Sequence, residues 1–534
     1  MGYLGSAGGV QNDIVAAFGY TYEVYRDSDG SIKVNQRRVN TQAVTTTFNL
    51  GGTTGDRPAI GVLRNNDGTA RLLAVFVRAT DGSIAYQVSP AGSSFGGYDA
   101  NGTFVAGRWG SLGGVTYGNP SAYGGRGFVG VAVQGNVGAQ GSRYWNYTGD
   151  GRTFLGYTQD RPGVEIGTNL NGDIGDIGTI NGYVKADVSR LRMFFNNDQA
   201  IHDSGARSGP GTSSGPQLNA GVLDNLIANG AQTIIITGND AGLDWEAVKY
   251  HLTTPFLNSS VNLLQYAQAH GNTMFYYEMG NEPDRNYYYW QGQGVTNLTP
   301  FDAYNMRYKA LDSLNQYNRT PGYRDTHANL RLMISMPTHN PDRTYADAFA
   351  GRSGGTTYRS LNTWDDTYNE GGNTDGNVYI GKAFDAMAVH TYVFEWFDEA
   401  NTKQGGEAPN EKWQDIIAYY AQRGSAIIYI TEAGVNDNSY DTNKWVNYMA
   451  ARYVQGTFGF DAVNSPYAIN GSGGQANGRV KGVTYFQTNY GDAQGFGHLA
   501  QPNPYYNIDE GAANRYGGHQ KIGNRDTANS GAGR

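Results

Sequence analysis

The chain has 534 residues, with 39 Lys and Arg against 47 Asp and Glu, a formal charge of −8 and no cysteine. The lack of cysteine excludes a disulfide scaffold and a thiolate metal site, and an acidic chain without a basic stripe argues against binding nucleic acid. Glycine fills 77 positions, about twice the usual ~7%, and tyrosine 40, while only 16% of residues are charged. Such a surface meets its partner through hydroxyls, amides and ring faces, which keeps uncharged polymers such as glycans in play. No apolar run approaches the ~18 residues of a membrane helix, and residues 1–20 contain no charged leader followed by an apolar block, so an export signal is expected to be absent or removed.

Residues 1–158 read as short alternating segments broken by Gly, Asn and Asp. Ala74-Val-Phe-Val-Arg-Ala79 and Ile84-Ala-Tyr-Gln-Val88 flank an Asp81-Gly82 turn, which predicts a hairpin closed by a tight primed turn. The same signal stands at Asp29-Gly30 and Asp67-Gly68, and Leu50-Gly-Gly52 with Pro58 returns 62 residues later as Leu112-Gly-Gly114 with Pro120. A repeat of β units follows. Its spacing resembles the blades of lectin-like or sialidase-like β-propellers; an ordinary β-sandwich is the alternative. About three blades are too few to close a ring, so a homo-oligomer formed through this all-β domain is the expectation if they are blades. The Asp27-x-Asp29-Gly30 string is a turn rather than a calcium loop, because the later bidentate acid is missing.

From 159 to 519 the rhythm is α/β. Apolar runs at 164–168, 188–195, 233–237, 273–280, 330–336, 384–390, 426–431 and 482–487 predict eight strands, the number of a (β/α)8 TIM barrel. Helices are predicted between them at 218–228, 245–270, 301–317, 411–423 and 443–454 from three- and four-residue apolar steps. A doubly wound open sheet is the runner-up, disfavoured because no Gly-rich phosphate loop follows the first strand. Residues 520–534 read as a flexible tail.

In a parallel barrel the chemistry sits at the C-terminal strand ends. The fourth run closes as Phe275-Tyr-Tyr-Glu-Met-Gly-Asn-Glu-Pro-Asp284 and the seventh as Ile427-Ile-Tyr-Ile-Thr-Glu-Ala-Gly434, each bringing a glutamate, Glu282 and Glu432, to the rim. Cleaving a glycosidic bond takes one carboxylic acid to protonate the leaving oxygen and one carboxylate to meet the developing positive charge. A separation of about 5–5.5 Å makes the second a nucleophile and the outcome retention. That requires Glu282 protonated and Glu432 ionised. Aromatic platforms for sugar faces are on hand at Tyr287, Tyr288, Tyr289 and Trp290, at Trp245, at Trp396, and at Phe486 with Tyr490, with loop packing the competing role of each. Asn239 and Asp240 are placed to bond substrate hydroxyls or to cap a turn. No His/Asp/Glu cluster has the spacing of a catalytic metal site, and no cofactor is expected.

Gly280-Asn-Glu-Pro283 on the fourth strand with Thr431-Glu-Ala-Gly434 on the seventh resembles the clan of retaining glycoside hydrolases built on the 4/7 barrel, over roughly residues 160–500. The resemblance implies that Glu282 is the general acid/base, Asn281 the partner of the sugar 2-hydroxyl and Glu432 the nucleophile. Arg192 resembles the clan's second-strand arginine near the nucleophile; its alternative is a salt bridge inside the barrel with Glu278, which alternation places on the same face as Glu282. His390 and Tyr392 look like the clan's sugar- and nucleophile-contacting pair. Taken together these imply a secreted or surface-exposed retaining glycosidase acting on an oligo- or polysaccharide. Carbohydrate binding is the candidate role of the N-terminal domain, and a transglycosylase or a non-catalytic glycan-binding barrel are the rivals. Loops at 338–383 and 391–410 are expected to set sugar, linkage and endo or exo action.

Overall fold

The computed structural model describes residues 13–41, 43–65, 68–114, 117–125, 128–134, 142–148, 153–158, 165–171, 188–192, 219–228, 231–237, 243–256, 258–281, 300–336, 383–394, 426–436 and 480–485. Three antiparallel sheets precede a closed parallel barrel. The first sheet is a meander of β1 (Asp13–Ala17), β2 (Tyr20–Arg26), β3 (Ser31–Arg38) and β4 (Val44–Thr53). The second runs β5 (Ala59–Arg64), β6 (Ala70–Arg78), β7 (Ile84–Ser89), β8 (Gly96–Tyr98) and β9 (Phe104–Ala106), with β10 (Gly110–Gly113) paired to β7. The third is β11 (Tyr117–Gly125), β12 (Phe128–Gln134), β13 (Ser142–Thr148) and β14 (Thr153–Thr158).

Strand alternation explains how the sheets stack. Ile60, Val62, Leu73, Val75 and Val77 of the second sheet join Val15, Tyr22, Val24 and Val34 of the first in one core. Their sequence neighbours Ala59, Leu63, Leu72, Ala74 and Phe76 point the other way, to Ala122, Val129 and Val131 of the third. The middle sheet is covered on both faces, which is why β5 is apolar and buried at consecutive positions rather than alternating.

The Asp-Gly hairpin at 79–83 forms, but its turn is not a primed one. Gly82 N donates to Ala79 O at 2.9 Å and Ala79 N to Ser83 O at 2.8 Å, with Gly82 at φ +84°. That is a three-residue loop, a type I turn followed by a left-handed glycine. Gly30, Gly68 and Gly102 close the same loop. The sequence signal is shared by both turn types, and the Asp81 carboxylate accepting from Ser83 N at 2.9 Å favours the longer one. Asp27 and Asp29 lie in such a turn, as expected. Both double glycines of the 62-residue repeat, Gly51-Gly52 and Gly113-Gly114, have positive φ.

The barrel comprises β15 (Glu165–Asn171), β16 (Val188–Arg192), β17 (Thr233–Thr237), β18 (Met274–Met279), β19 (Leu330–Ser335), β20 (Ala386–Phe394), β21 (Ile427–Asn436) and β22 (Val480–Tyr485), with β22 pairing back onto β15. Each of the eight apolar runs in the sequence overlaps one of these strands. Helices α1 (Ala220–Ala228), α2 (Trp245–Thr253), α3 (Leu263–Ala269) and α4 (Pro300–Arg319) lie between strands. The single helix expected at 245–270 is two. Pro255 follows the end of α2 and cannot supply the helical N–H, and Asn262 restarts the chain with a capping box, exchanging 3.0 Å bonds with Gln265. The helices expected at 411–423 and 443–454 and the tail lie outside the described residues. Among the described residues no helix is long and apolar enough to cross a membrane.

Inward side chains Val188, Ile235, Met274, Tyr276, Met333, Ala386, Ala388, Ile427 and Tyr429 fill the barrel with an apolar plug, closed from below by Ile14 and Ala16 of β1. The antiparallel sheets therefore sit under the N-terminal ends of the barrel strands. Arg64 bonds Ala16 O at 2.9 Å and Asn272 O at 2.8 Å, Gln232 bonds Gly124 O at 2.7 Å, and Ala328 N donates to Val39 O at 2.8 Å. Lys481, at the start of β22, reaches one strand of each sheet: its Nζ lies 3.2 Å from both carboxylate oxygens of Asp13 in β1, 3.1 Å from Ile60 O in β5 and 3.3 Å from Ala122 O in β11.

Candidate functional site

Above the plug, at the C-terminal strand ends, the inward positions turn polar. Arg190 of β16, Thr237 of β17, Glu278 of β18, Ser335 of β19, His390 of β20, Thr431 and Glu432 of β21 and Thr484 of β22 are all buried. Burying this many polar groups is costly unless they pair with one another or with a ligand.

Arg190 is the hub. Its Nε donates to Glu278 Oε2 at 2.5 Å and its Nη2 to Glu278 Oε1 at 3.1 Å, a bidentate fork. The same Nη2 donates to Asn281 Oδ1 at 2.8 Å, and Nη1 donates to Glu432 Oε1. His390 lies between the carboxylates, with Nε2 3.6 Å from Glu278 Oε1 and Nδ1 3.5 Å from Glu432 Oε2. Burial opposes the charge on Arg190, but Glu278 and Glu432 outweigh it and hold its pKa above the ordinary arginine value. Burial likewise opposes ionisation of Glu278, and Arg190 followed by His390 still pulls its pKa below that of an ordinary glutamate.

Local backbone features aim these groups. Gly280 sits at φ +70°, with Leu243 Cδ2 3.2 Å from where a Cβ would stand; the left-handed turn available to glycine there brings Asn281 back over the strand end. On β21 the strand carries a bulge. Ile430 pairs with Val389 and Glu432 with His390, so Thr431 is skipped on that side. On the other side Ile430 pairs with Val483 and Ala433 with Tyr485, setting Thr431 and Glu432 against Thr484 alone. Tyr429 and Thr431 point inward, and unbroken alternation would turn Glu432 outward. The extra residue reverses that and delivers Glu432 to Arg190.

The expected site residues fall into three groups. Asn281, His390 and Glu432 meet around one guanidinium. Trp245 opens α2 with its ring edge-to-face on Tyr323, centroids 5.1 Å apart. Glu282, Asn239, Trp290 and Trp396 lie outside the described residues; Arg192 and Tyr392 belong to described strands, but their side chains are not among those described. The salt bridge to Glu278 that the sequence suggested for Arg192 is made by Arg190, two residues earlier on β16. The pair of arginines at 190 and 192 was a signal for this, since alternation puts both inside. Thr237 Oγ1 and Ser335 Oγ, not singled out from sequence, are buried in this same polar layer without a hydrogen-bond partner among the described residues.

No protein-family model matches the chain, and no curated protein sequence does. Among solved structures it is similar to an endo-β-1,4-mannanase from Thermotoga petrophila, at 10% identity and TM-score 0.35 over 67% of this chain and 77% of that one. A GH5-4 broad-specificity endoglucanase from Clostridium longisporum matches at 14% identity and TM-score 0.34, covering 66% and 96%. An endo-β-1,4-glucanase from Xanthomonas axonopodis pv. citri matches at 10% identity and TM-score 0.30, covering 67% and 99%. The functional reading rests instead on the residues of the barrel mouth.

Proposed function

We propose that the chain is a retaining glycoside hydrolase that cleaves an oligo- or polysaccharide by double displacement, with Glu432 the nucleophile and Glu282 the general acid/base. One observation carries this reading: the carboxylate of Glu432 and the amide of Asn281 are held by the same buried guanidinium. Glu282 is the next residue after Asn281 in the sequence, which supports reading it as the second carboxylate of the pair. Two carboxylates on neighbouring sides of a narrow mouth are what attack at an anomeric carbon and protonation of its leaving oxygen require. In the first step Glu432 attacks the anomeric carbon while Glu282 gives its proton to the departing oxygen. In the second, Glu282 takes a proton from water, which displaces Glu432. Glu278 and Glu432, sharing Arg190 with His390 between them, put carboxylate charge close to where positive charge develops in the transition state.

For the N-terminal region we propose propeller-like blades. The meeting of β1, β5 and β11 on one ammonium, with the sheets stacked face to face, supports successive units about a common axis rather than a two-sheet sandwich.

A panel of aryl glycosides followed by proton NMR of the first-formed product tests the enzyme reading. Turnover with retained anomeric configuration is the expected outcome; inversion, or no turnover on any glycoside or polysaccharide, contradicts it.

A further inference from the structure

Bulges in a strand leave backbone groups without their ladder partners, and a buried carbonyl so exposed is costly. In β21 the extra residue is Thr431, skipped in the pairing with β20 on one side and set with Glu432 against Thr484 alone on the other. Thr484 Oγ1 donates to Thr431 O. The Thr484 hydroxyl thus bonds the carbonyl of the one residue whose insertion turns Glu432 inward. Thr484 is itself buried, on a strand whose start is pinned three residues earlier by Lys481 in the N-terminal sheets. On its other side Thr431 presents its own hydroxyl to Glu278 Oε1 at 3.5 Å, so the bulge is held from both directions.

We propose that Thr484 is a positioning residue for the nucleophile: by capping Thr431 O it fixes the β21 bulge and with it the angle at which Glu432 enters the site. This rests on the reading of Glu432 as nucleophile. Thr484 touches no reacting atom; it acts through the backbone on either side of Thr431. Removing the hydroxyl frees the bulge to relax toward regular alternation, which withdraws the carboxylate from its line of attack.

The test is a comparison of two backgrounds. In the otherwise native enzyme, Thr484→Val keeps the shape and removes the donor, and kcat on an activated aryl glycoside is expected to fall by about 10²-fold, the scale of an ångström's misplacement, with KM little changed. Thr484→Ser keeps the donor and restores most of the rate. In Glu432→Gly supplied with azide the nucleophile comes from solution, and adding Thr484→Val is expected to change the rescued rate less than twofold. Equal losses from Thr484→Val in both backgrounds, or equal losses from Thr484→Ser and Thr484→Val, overturn the proposal while leaving Glu432 in place. Failure of azide to rescue Glu432→Gly overturns the reading of the nucleophile and the proposal with it. Should Thr484→Val not fold, Thr484→Ala carries the same comparison.

Discussion

The two ends of the barrel are both lined by buried charge, yet the charge is arranged in opposite ways. At the N-terminal end Lys481 meets Asp13 and two backbone carbonyls, and Asp385 accepts from Arg324 with Arg331 3.6 Å away, so cations match or outnumber carboxylates. Burial, then the neighbouring Arg324, lowers the pKa of Arg331 to about 10. At the C-terminal end one guanidinium serves two glutamates, with the His390 imidazole between them. The apolar plug separates the two layers. Lys481 and its partners join the sheets to the barrel, whereas the upper carboxylates stand where the proposed reaction would develop positive charge.

Breaking the upper layer has the largest expected effect. Arg190→Met leaves Glu278 and Glu432 buried together without their cation, and the loss of stability is expected at about 5 kcal/mol, the upper end for stripping a partner from a buried ion pair. Urea unfolding at neutral pH measures it, and a loss below ~1 kcal/mol would show that the arginine is not the keystone of the site. Breaking the lower layer is milder. Lys481→Met keeps an apolar stem in place, and Asp13 retains the N–H groups of Ile14 at 2.9 Å and Ile60 at 3.0 Å, so about 3 kcal/mol is expected. A fall in the unfolding midpoint without a first separate transition would mean that sheets and barrel unfold together.

The smallest effect sharpens the contrast by pH. Glu278 has a folded pKa below its ordinary 4.5, so the unfolded chain binds its proton more readily. Its contribution to stability is full above about 4.5 and is lost as pH falls toward the depressed folded value. Glu278→Gln is expected to flatten the stability curve in that acid window, measured by urea unfolding across pH 3 to 6. An unchanged slope would remove Glu278 from the acid response.

Much of the barrel was legible because a buried parallel strand is apolar on both faces and reads as a run; the strand 233–237 was recovered to the residue. Glu432 stood out as the carboxylate closing an apolar run, and Asn281 through the resemblance carried by Gly280-Asn-Glu-Pro283. What the sequence concealed depends on local irregularity or on distance along the chain. Alternation cannot rank Arg190 above Arg192, because residues two apart on a strand are assigned the same face. A bulge leaves no mark in Ile430-Thr-Glu432, and the break at Pro255 was overridden by helical spacing on either side. Lys481 meets Asp13 across 468 positions, beyond any pattern of neighbours.

The most direct test of Glu432 is to trap the glycosyl-enzyme. Incubation with the 2-deoxy-2-fluoro derivative of whichever aryl glycoside is turned over, then peptic digestion and mass spectrometry, is expected to show one sugar on the peptide containing Glu432 and none in Glu432→Gln. A label on any other carboxylate, with Glu432 unmodified in an enzyme that retains configuration, would contradict its role as nucleophile.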